Sequence, residues 1–116
     1  MTAGTELATL RRDGDILIVV LPLRLDGSNG EGVLRQVEGA VQEACRVVAF
    51  DCTATEFVSS AGIRVFTAVA RRVRPTGGRV AAAAVRPMVR QVFEFAGIVP
   101  FIDLHADLAS ALGSMT

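Results

Sequence analysis

Two short, uninterrupted apolar runs, at residues 47–50 and 80–85, constrain the fold of this chain more than any other feature. Runs of this length without polar alternation are typical of strands that are buried on both faces of a parallel sheet. Between them, apolar residues recur at helical spacing over residues 60–73, and Pro75 ends that pattern. A strand, a helix and a second buried strand predict an α/β fold with right-handed crossovers.

The segments before the first run add a hairpin and a helix. Apolar residues flank a turn-forming sequence at residues 13–15, which predicts an N-terminal β-hairpin. A first helix is predicted at about 29–44, because apolar residues recur there at helical spacing. Ser28 and Glu31 have the spacing of a capping box at its start.

The segments after the second run add two helices and a strand. Pro87 and Gly97 bound a third predicted helix, and residues 99–102 are expected to form a short edge strand. The apolar face of the third helix is expected to carry Met88, Val89, Val92, Phe93 and Ala96, and that of a final helix Leu104, Leu108 and Leu112. The predicted order is β-β-α-β-α-β-α-(β)-α, a mixed, mostly parallel sheet of four to five strands with about four helices.

Length and charge limit the classes of protein. The 116 residues suit one domain, with residues 1–5 and 114–116 expected to be flexible. Acidic and basic side chains balance at twelve each and the arginines are scattered, so the sequence does not predict a nucleic-acid partner. No apolar run approaches the ~20 residues that a membrane helix needs, and the N-terminus lacks a leader pattern. We therefore expect a cytoplasmic protein without membrane insertion.

The cysteines do not indicate a metal or disulfide site. Cys45 and Cys52 lie seven residues apart, and the single histidine, His105, is far downstream. This spacing matches neither a zinc site nor a disulfide framework. We expect both cysteines to be small apolar core residues, and we expect no metal and no cofactor.

The stretch from Asp51 to Ile63 is the most informative for function, because it joins a buried strand to the start of a helix. Sheets of this kind bind ligands and partners at this end of their strands. Serine hydroxyls there have a structural role, since they accept hydrogen bonds from the free N–H groups of a first helical turn. The same geometry suits a phosphate on Ser60, against the positive end of the helix dipole and near Arg64. The sequence leaves both roles open.

The order of elements and the FVSSAGI segment at residues 57–63 resemble the STAS domain, which sulphate transporters and bacterial anti-sigma factor antagonists share. The likeness extends from the Leu25-Asp26 pair to the tail at residues 104–112. It implies that an anti-sigma factor with serine-kinase activity phosphorylates Ser60, or less favourably Ser59. It also implies that the unphosphorylated domain binds this anti-sigma factor and frees the sigma factor, and that the phosphorylated domain lets go.

Two positions depart from the pattern of that family. Ser59 stands where the family has an aspartate, so the acidic neighbour of Ser60 is missing. Leu23 stands where a glycine commonly precedes the element that here contains Leu25 and Asp26. The first departure leaves an alternative to the phosphorylation switch, namely a STAS adaptor subunit of a signalling or transport complex that assembles with other STAS domains.

The sequence predicts a binding module and not an enzyme. Ser60 lacks the glycine-flanked elbow of hydrolases, the chain has no lysine for a Ser-Lys dyad, and His105 is expected on the surface at the start of the last helix. An exposed apolar patch is expected around Val58, Ile63 and Phe95. The predicted partner-binding residues are Asp26, Glu56, Val58, Ser59, Ser60, Gly62, Ile63 and Arg64. Asp26 and Glu56 suit solvated loop charges or helix caps equally well.

Overall fold

Residues 47–50 and 80–83 lie in neighbouring parallel strands of the sheet, as the sequence predicts, whereas residues 84–85 of the second apolar run follow the end of their strand. The computed structural model of the chain describes residues 6–41 and 45–115. Its strands are β1 (Thr9–Asp13), β2 (Ile16–Val20), β3 (Arg24–Leu25), β4 (Val47–Asp51), β5 (Phe57–Val58), β6 (Arg79–Ala83) and β7 (Asp103–His105). Its α-helices are α1 (Gly30–Ala40), α2 (Ser60–Val73), α3 (Pro87–Ala96) and α4 (Leu108–Met115), with 3-10 turns at Arg74–Thr76 and Val99–Phe101.

Five strands form the main sheet, in the order β1-β2-β4-β6-β7. The β1–β2 pair is the predicted hairpin, and it is antiparallel. The other three pairings of this sheet are parallel, so the predicted mixed, mostly parallel α/β architecture is confirmed. The short strands β3 and β5 pair with each other in a separate parallel ladder beyond the end of the main sheet.

Alternate residues of each central strand face different helices. In β2, Leu17 and Val19 belong to the larger core, which the sheet forms with α1, α2 and α3. Ile16 and Ile18 belong to a smaller core on the opposite face, where Ala111 of α4 is buried. This two-sided burial explains why β2 lacks polar alternation, since both faces of a strand in such a sheet are covered.

Three buried phenylalanines tie α2 and α3 to the sheet. The ring of Phe66 in α2 lies 4.7 Å from that of Phe50 in β4 and 4.8 Å from that of Phe93 in α3, between ring centroids. Aromatic pairs at such distances contribute about 0.5–1.5 kcal/mol each beyond the burial of their area. The helix whose first turn carries Ser60 is therefore firmly packed along its length.

The predicted capping box at the start of α1 is wrong. The N-cap of α1 is Asn29, whose side chain makes no capping hydrogen bond. Ser28 lies one residue earlier, and its hydroxyl donates to Asp26 Oδ1 at 2.6 Å. The hydroxyl of Ser28 is therefore engaged in the preceding turn, because a short polar side chain can bond to a nearby residue in place of a helix terminus.

The predicted strand at 99–102 is also wrong. The segment forms a 3-10 turn, with Pro100 inside it and the Ile102 N–H donating to the Val99 oxygen. Proline lacks the N–H that a ladder requires, which favours the turn. The last strand follows at residues 103–105 and pairs with β6. It includes Leu104 and His105, both predicted to lie in the final helix.

Two other expectations concern α3 and the chain ends. Met88 was expected on the apolar face of α3, but 75% of it is exposed, whereas Val89 and Phe93 are buried as predicted. The predicted end of the first helix falls on residues 42–44, which lie outside the described residues, and the described helix ends at Ala40. Residues 1–5 and 116 also lie outside the described residues.

Candidate functional site

The β3–β5 ladder fixes the loop that leads into α2. The N–H groups of Glu56 and Phe57 both donate to the oxygen of Leu23, at 2.8 and 3.3 Å. One step further on, the Ser59 N–H donates to the oxygen of Leu25 at 2.9 Å. These bonds hold residues 56–59 beside residues 23–25, so the start of α2 lies next to the β3–α1 turn that contains Asp26.

Of the two serines that could cap α2, Ser59 does so. It is the N-cap of α2, and its Oγ accepts a hydrogen bond from the Gly62 N–H at 3.3 Å. Ser60 occupies the first helical position, and its side chain is exposed. Among the described residues the Ser60 hydroxyl has no hydrogen-bond partner. The N–H groups of Ser60 and Ala61 also belong to the first turn, where a helix provides no acceptor.

Gly62 is buried because α2 approaches β3 very closely at this point. A Cβ on Gly62 would overlap the carbonyl oxygen of Leu25 and lie 2.8 Å from Cγ1 of Val58. Typical Cβ contacts are longer than this, so the glycine permits the packing of the helix on the β3–β5 ladder. The backbone that approaches Gly62 in this structure is therefore that of β3.

The predicted exposed patch around Val58, Ile63 and Phe95 is wrong at its first two residues. Val58 is 3% exposed and Ile63 is 8% exposed, and both belong to the main core. Phe57, one position before Val58, is the outward residue of β5 and is 42% exposed. The alternation of side chains along a strand explains the shift by one residue. Phe95 is 95% exposed, as expected.

Charged side chains surround the exposed start of α2. Asp26 Oδ1 accepts hydrogen bonds from the N–H and the hydroxyl of Ser28, at 2.9 and 2.6 Å. The Ser28 hydroxyl above all, then its N–H and Arg24, hold the pKa of Asp26 below its usual value, so this carboxylate is charged near neutral pH. Arg24 also lies over the Phe57 ring, 4.5 Å from its centroid. We call Asp26, Phe57, Ser60 and Arg64 the Ser60 face.

Arg64 of this face and the neighbouring Glu56 are both exposed. Glu56 precedes β5 in the chain, and Arg64 lies one turn beyond Ser60 on α2. The hydrogen bond between Ser59 and Leu25 brings two of the predicted partner-binding residues, Ser59 and Ser60, next to a third, Asp26. Three others are buried beneath them, namely Val58, Gly62 and Ile63. Long exposed side chains such as Glu56 and Arg64 are free to adjust to a partner.

Two buried polar residues that support this face were not predicted. Asn29 is 2% exposed, and its amide donates to the oxygens of Glu6 and Arg24 while its Oδ1 accepts from the Asp26 N–H. Thr55 is fully buried, and its hydroxyl donates to the Pro22 oxygen at 2.9 Å. The position of Asn29 directly before a helix was the one available signal, since asparagine is common there.

The cysteines are core residues, as predicted. Cys45 and Cys52 are free thiols and both are buried. Burial, with a smaller effect of the Asp51 charge, raises the pKa of Cys52 to about 12, which disfavours the reactive thiolate. Within residues 6–41 and 45–115, no cluster of three or more potential metal ligands occurs. No helix in the same residues is long and apolar enough to cross a membrane.

The geometry matches a known family. The family profile of the STAS domain matches residues 8–111. The chain belongs to the STAS domain family. This confirms the resemblance that the sequence indicated, and it makes the chain a regulatory binding domain and not an enzyme, as predicted.

Three known proteins illustrate the likeness. The protein BtrV of Bordetella bronchiseptica, named as an anti-sigma factor antagonist, is 30% identical over 91 residues, which are 78% of each chain. A STAS domain protein of Planctomyces limnophilus superimposes with a TM-score of 0.87 at 20% identity, covering 95% of this chain and 98% of that one. The phosphorylated form of SpoIIAA from Bacillus superimposes with a TM-score of 0.77 at 21% identity, covering 94% and 99%.

Proposed function

We propose that this STAS domain is an anti-sigma factor antagonist, and that phosphorylation of Ser60 switches off its binding to an anti-sigma factor. Exposure of Ser60 at the first position of α2 carries this proposal. The relative BtrV is named for the same activity, and SpoIIAA, whose structure this fold resembles, has been solved in a phosphorylated form. The partner in this proposal is an anti-sigma factor with serine-kinase activity.

A phosphate on Ser60 is compatible with the fold. Ser60 points to solvent, and the hydrogen bond that caps α2 comes from Ser59, so modification of Ser60 leaves the cap intact. The added charge of about −1.5 to −2 would lie at the positive end of the helix dipole, beside N–H groups that have no helical acceptor. Arg64, one turn on, is close enough in sequence to interact with it.

The same phosphate would change the Ser60 face strongly. Asp26 is already charged at this face, and its carboxylate is fixed by Ser28. A second anionic group on Ser60 would make the face clearly acidic, and it would cover part of the surface that a partner contacts. Charge repulsion and loss of a close fit both weaken an interface without any change in the core.

The missing aspartate has a structural explanation. Serine and aspartate are both good N-cap residues, and Ser59 caps α2 through its hydroxyl. The substitution therefore preserves the helix start and removes one negative charge beside Ser60. We expect Ser60 to remain a kinase substrate, because its hydroxyl keeps its exposed position.

The experiment is phosphorylation of the purified protein by ATP and each kinase-type anti-sigma factor of its own cell, with the site mapped by mass spectrometry. Wild type and Ser59→Ala should acquire phosphate on Ser60, whereas Ser60→Ala should acquire none there. In a binding assay, Ser60→Asp should abolish the complex with the anti-sigma factor, and Ser59→Ala should weaken it less. Equal affinity for wild type and Ser60→Asp would contradict the switch.

The alternative is a constitutive adaptor, for which the aspartate-to-serine change at Ser59 is the favouring observation. An intact complex with the anti-sigma factor, together with no phosphate on any residue, would support the adaptor. Ser110→Ala provides the matched control for both assays, because Ser110 is an exposed serine of α4, which packs on the opposite face of the sheet.

A further inference from the structure

A groove of about 640 Å³ lies between the last turns of α2 and the segment that follows α3. Small-molecule sites in proteins commonly have volumes of roughly 300–1,000 Å³. The lining of the groove begins at Thr67, about two turns beyond Ser60, and continues to Pro75. The groove therefore lies at the opposite end of α2 from the Ser60 face.

The floor of the groove is apolar. Ala70, Ile98 and Ile102 line it, and all three are buried residues of the main core. Of the ten residues that line it, Thr67, Arg71 and Arg74 have polar side chains, and the Thr67 hydroxyl already donates to the Arg64 oxygen. An alkyl chain matches this apolar floor because it has no polar groups to desolvate there, whereas a peptide would have to desolvate backbone groups that face the floor.

The rim of the groove is cationic. None of the ten lining residues is acidic, and neither Arg71 nor Arg74 forms an ion pair with any residue in the described ranges. The chain from residue 57 to 93 contains seven arginines and no acid. This rim is therefore complementary to an anion.

Arg74 is also held in place. Its guanidinium carbon lies 5.5 Å from the centroid of the Phe101 ring, and its Nη1 donates to the Phe101 oxygen at 3.4 Å. Phe101 is half exposed and lines the groove itself. An arginine that is already positioned loses less side-chain freedom when it binds an anion.

Arginines at this end of α2 also have a general role, which is to interact with the helix dipole. Cations in the last turn of a helix interact favourably with its C-terminal carbonyl groups. Arg72 lies in that turn as well as Arg71, but it does not line this groove. Arg72 is therefore a matched control for a specific role of Arg71.

We propose that this groove binds a medium-chain fatty carboxylate, with the alkyl chain over Ala70, Ile98 and Ile102 and the carboxylate between Arg71 and Arg74. The site is separate from the Ser60 face. Its occupancy does not depend on phosphorylation or on the anti-sigma factor, so it is tested on the isolated protein and stands or falls independently of the proposed function.

The test is a titration of isotope-labelled protein with decanoate below its micellar concentration, followed by amide chemical shifts. We expect saturable shifts at Thr67, Gly97 and Phe101. The double variant Arg71→Gln/Arg74→Gln should bind about tenfold more weakly or worse, because each charged hydrogen bond to the carboxylate is lost. Arg72→Gln should keep its affinity within about twofold of wild type.

A second variant tests the apolar part of the site. Ala96 lines the groove and is exposed, so Ala96→Leu should fill the groove, abolish decanoate binding and leave the melting temperature unchanged. The neutral analogue 1-decanol should bind more weakly than decanoate. The proposal is overturned if decanoate causes no saturable shift, if 1-decanol binds equally well, or if Arg72→Gln weakens binding as much as the double variant does.

Discussion

Replacement of Gly62 by alanine tests whether the start of α2 is held by the close packing on β3. Intrinsic helix propensity predicts stabilisation, because alanine is favoured over glycine inside a helix by about 1 kcal/mol. The packing predicts the opposite, since the new Cβ would overlap the Leu25 oxygen and lie 2.8 Å from Cγ1 of Val58. The two effects therefore differ in sign, which makes the measurement decisive.

The magnitude follows from what can move. Overpacking costs about 1–3 kcal/mol, and the cost is smaller where a flexible side chain can rotate away. Here the closest atom is a backbone oxygen of Leu25, whose ladder partner is Val58. We therefore take the upper end of the range, about 3 kcal/mol, and subtract about 1 kcal/mol for propensity. The net expectation for Gly62→Ala is a loss of about 2 kcal/mol in the free energy of unfolding.

Urea unfolding followed by circular dichroism measures this change. For a domain of this size, the loss should also lower the melting temperature by about 8 °C. Gly27→Ala is the control, because a Cβ at Gly27 meets nothing within 4 Å, and its stability should stay within about 0.5 kcal/mol of wild type. If Gly62→Ala is as stable as wild type or more stable, the β3–α2 contact does not determine the residue at this position.

Three further predictions concern residues near the same end of the sheet. Asn29→Ala removes three hydrogen bonds of a buried side chain and should lower the free energy of unfolding, measured with urea, by about 3 kcal/mol. Ser28→Ala, which removes an exposed hydroxyl, should lower it by under about 0.5 kcal/mol. Equal losses in the two variants would contradict the role of Asn29. Ala84 has a φ of 59°, so Ala84→Gly should stabilise the domain by up to about 1 kcal/mol, and a lower urea midpoint would refute this. The pKa of Asp26 is lower in the folded than in the unfolded state, so the charged carboxylate stabilises the fold at a pH above the unfolded-state pKa, and this stabilisation is lost as the pH falls through the folded-state pKa. The free energy of unfolding of wild type should therefore exceed that of Asp26→Asn by less at about pH 3 than at about pH 6. A difference that does not depend on pH would exclude this linkage.

The long elements were predictable from the sequence because their burial is regular. Residues 47–50 and 80–83 lie in strands whose two faces are both buried, and the residues bounding α3 are a proline and a glycine at the expected ends. The two-residue strands β3 and β5 are too short to show any period. Without that ladder, the sequence could not determine which of Phe57 and Val58 faces solvent.

The sequence predicted that the segment from Asp51 to Ser60 joins a buried strand to a helix, which the structure confirms, but it did not predict the contacts within that segment. Either Ser59 or Ser60 could have capped α2 on sequence grounds, and the difference of one position decides which hydroxyl is exposed. The close approach at Gly62 and the bonds of Asn29 depend on contacts between segments that are distant in sequence. Such contacts leave no periodic signal, so a single sequence does not predict them.

The outer edge of the sheet bears on how copies of this domain behave at high concentration. Strand β1 pairs with β2 on one side, and no described strand pairs with its other side. It carries Arg11 and Arg12, both exposed. Charged side chains on an edge strand are a common protection against pairing with the edge of a second copy, because such pairing would restrict and partly desolvate them. The charges on β1 therefore disfavour pairing of two copies through this edge, which lies away from the exposed Ser60 on α2.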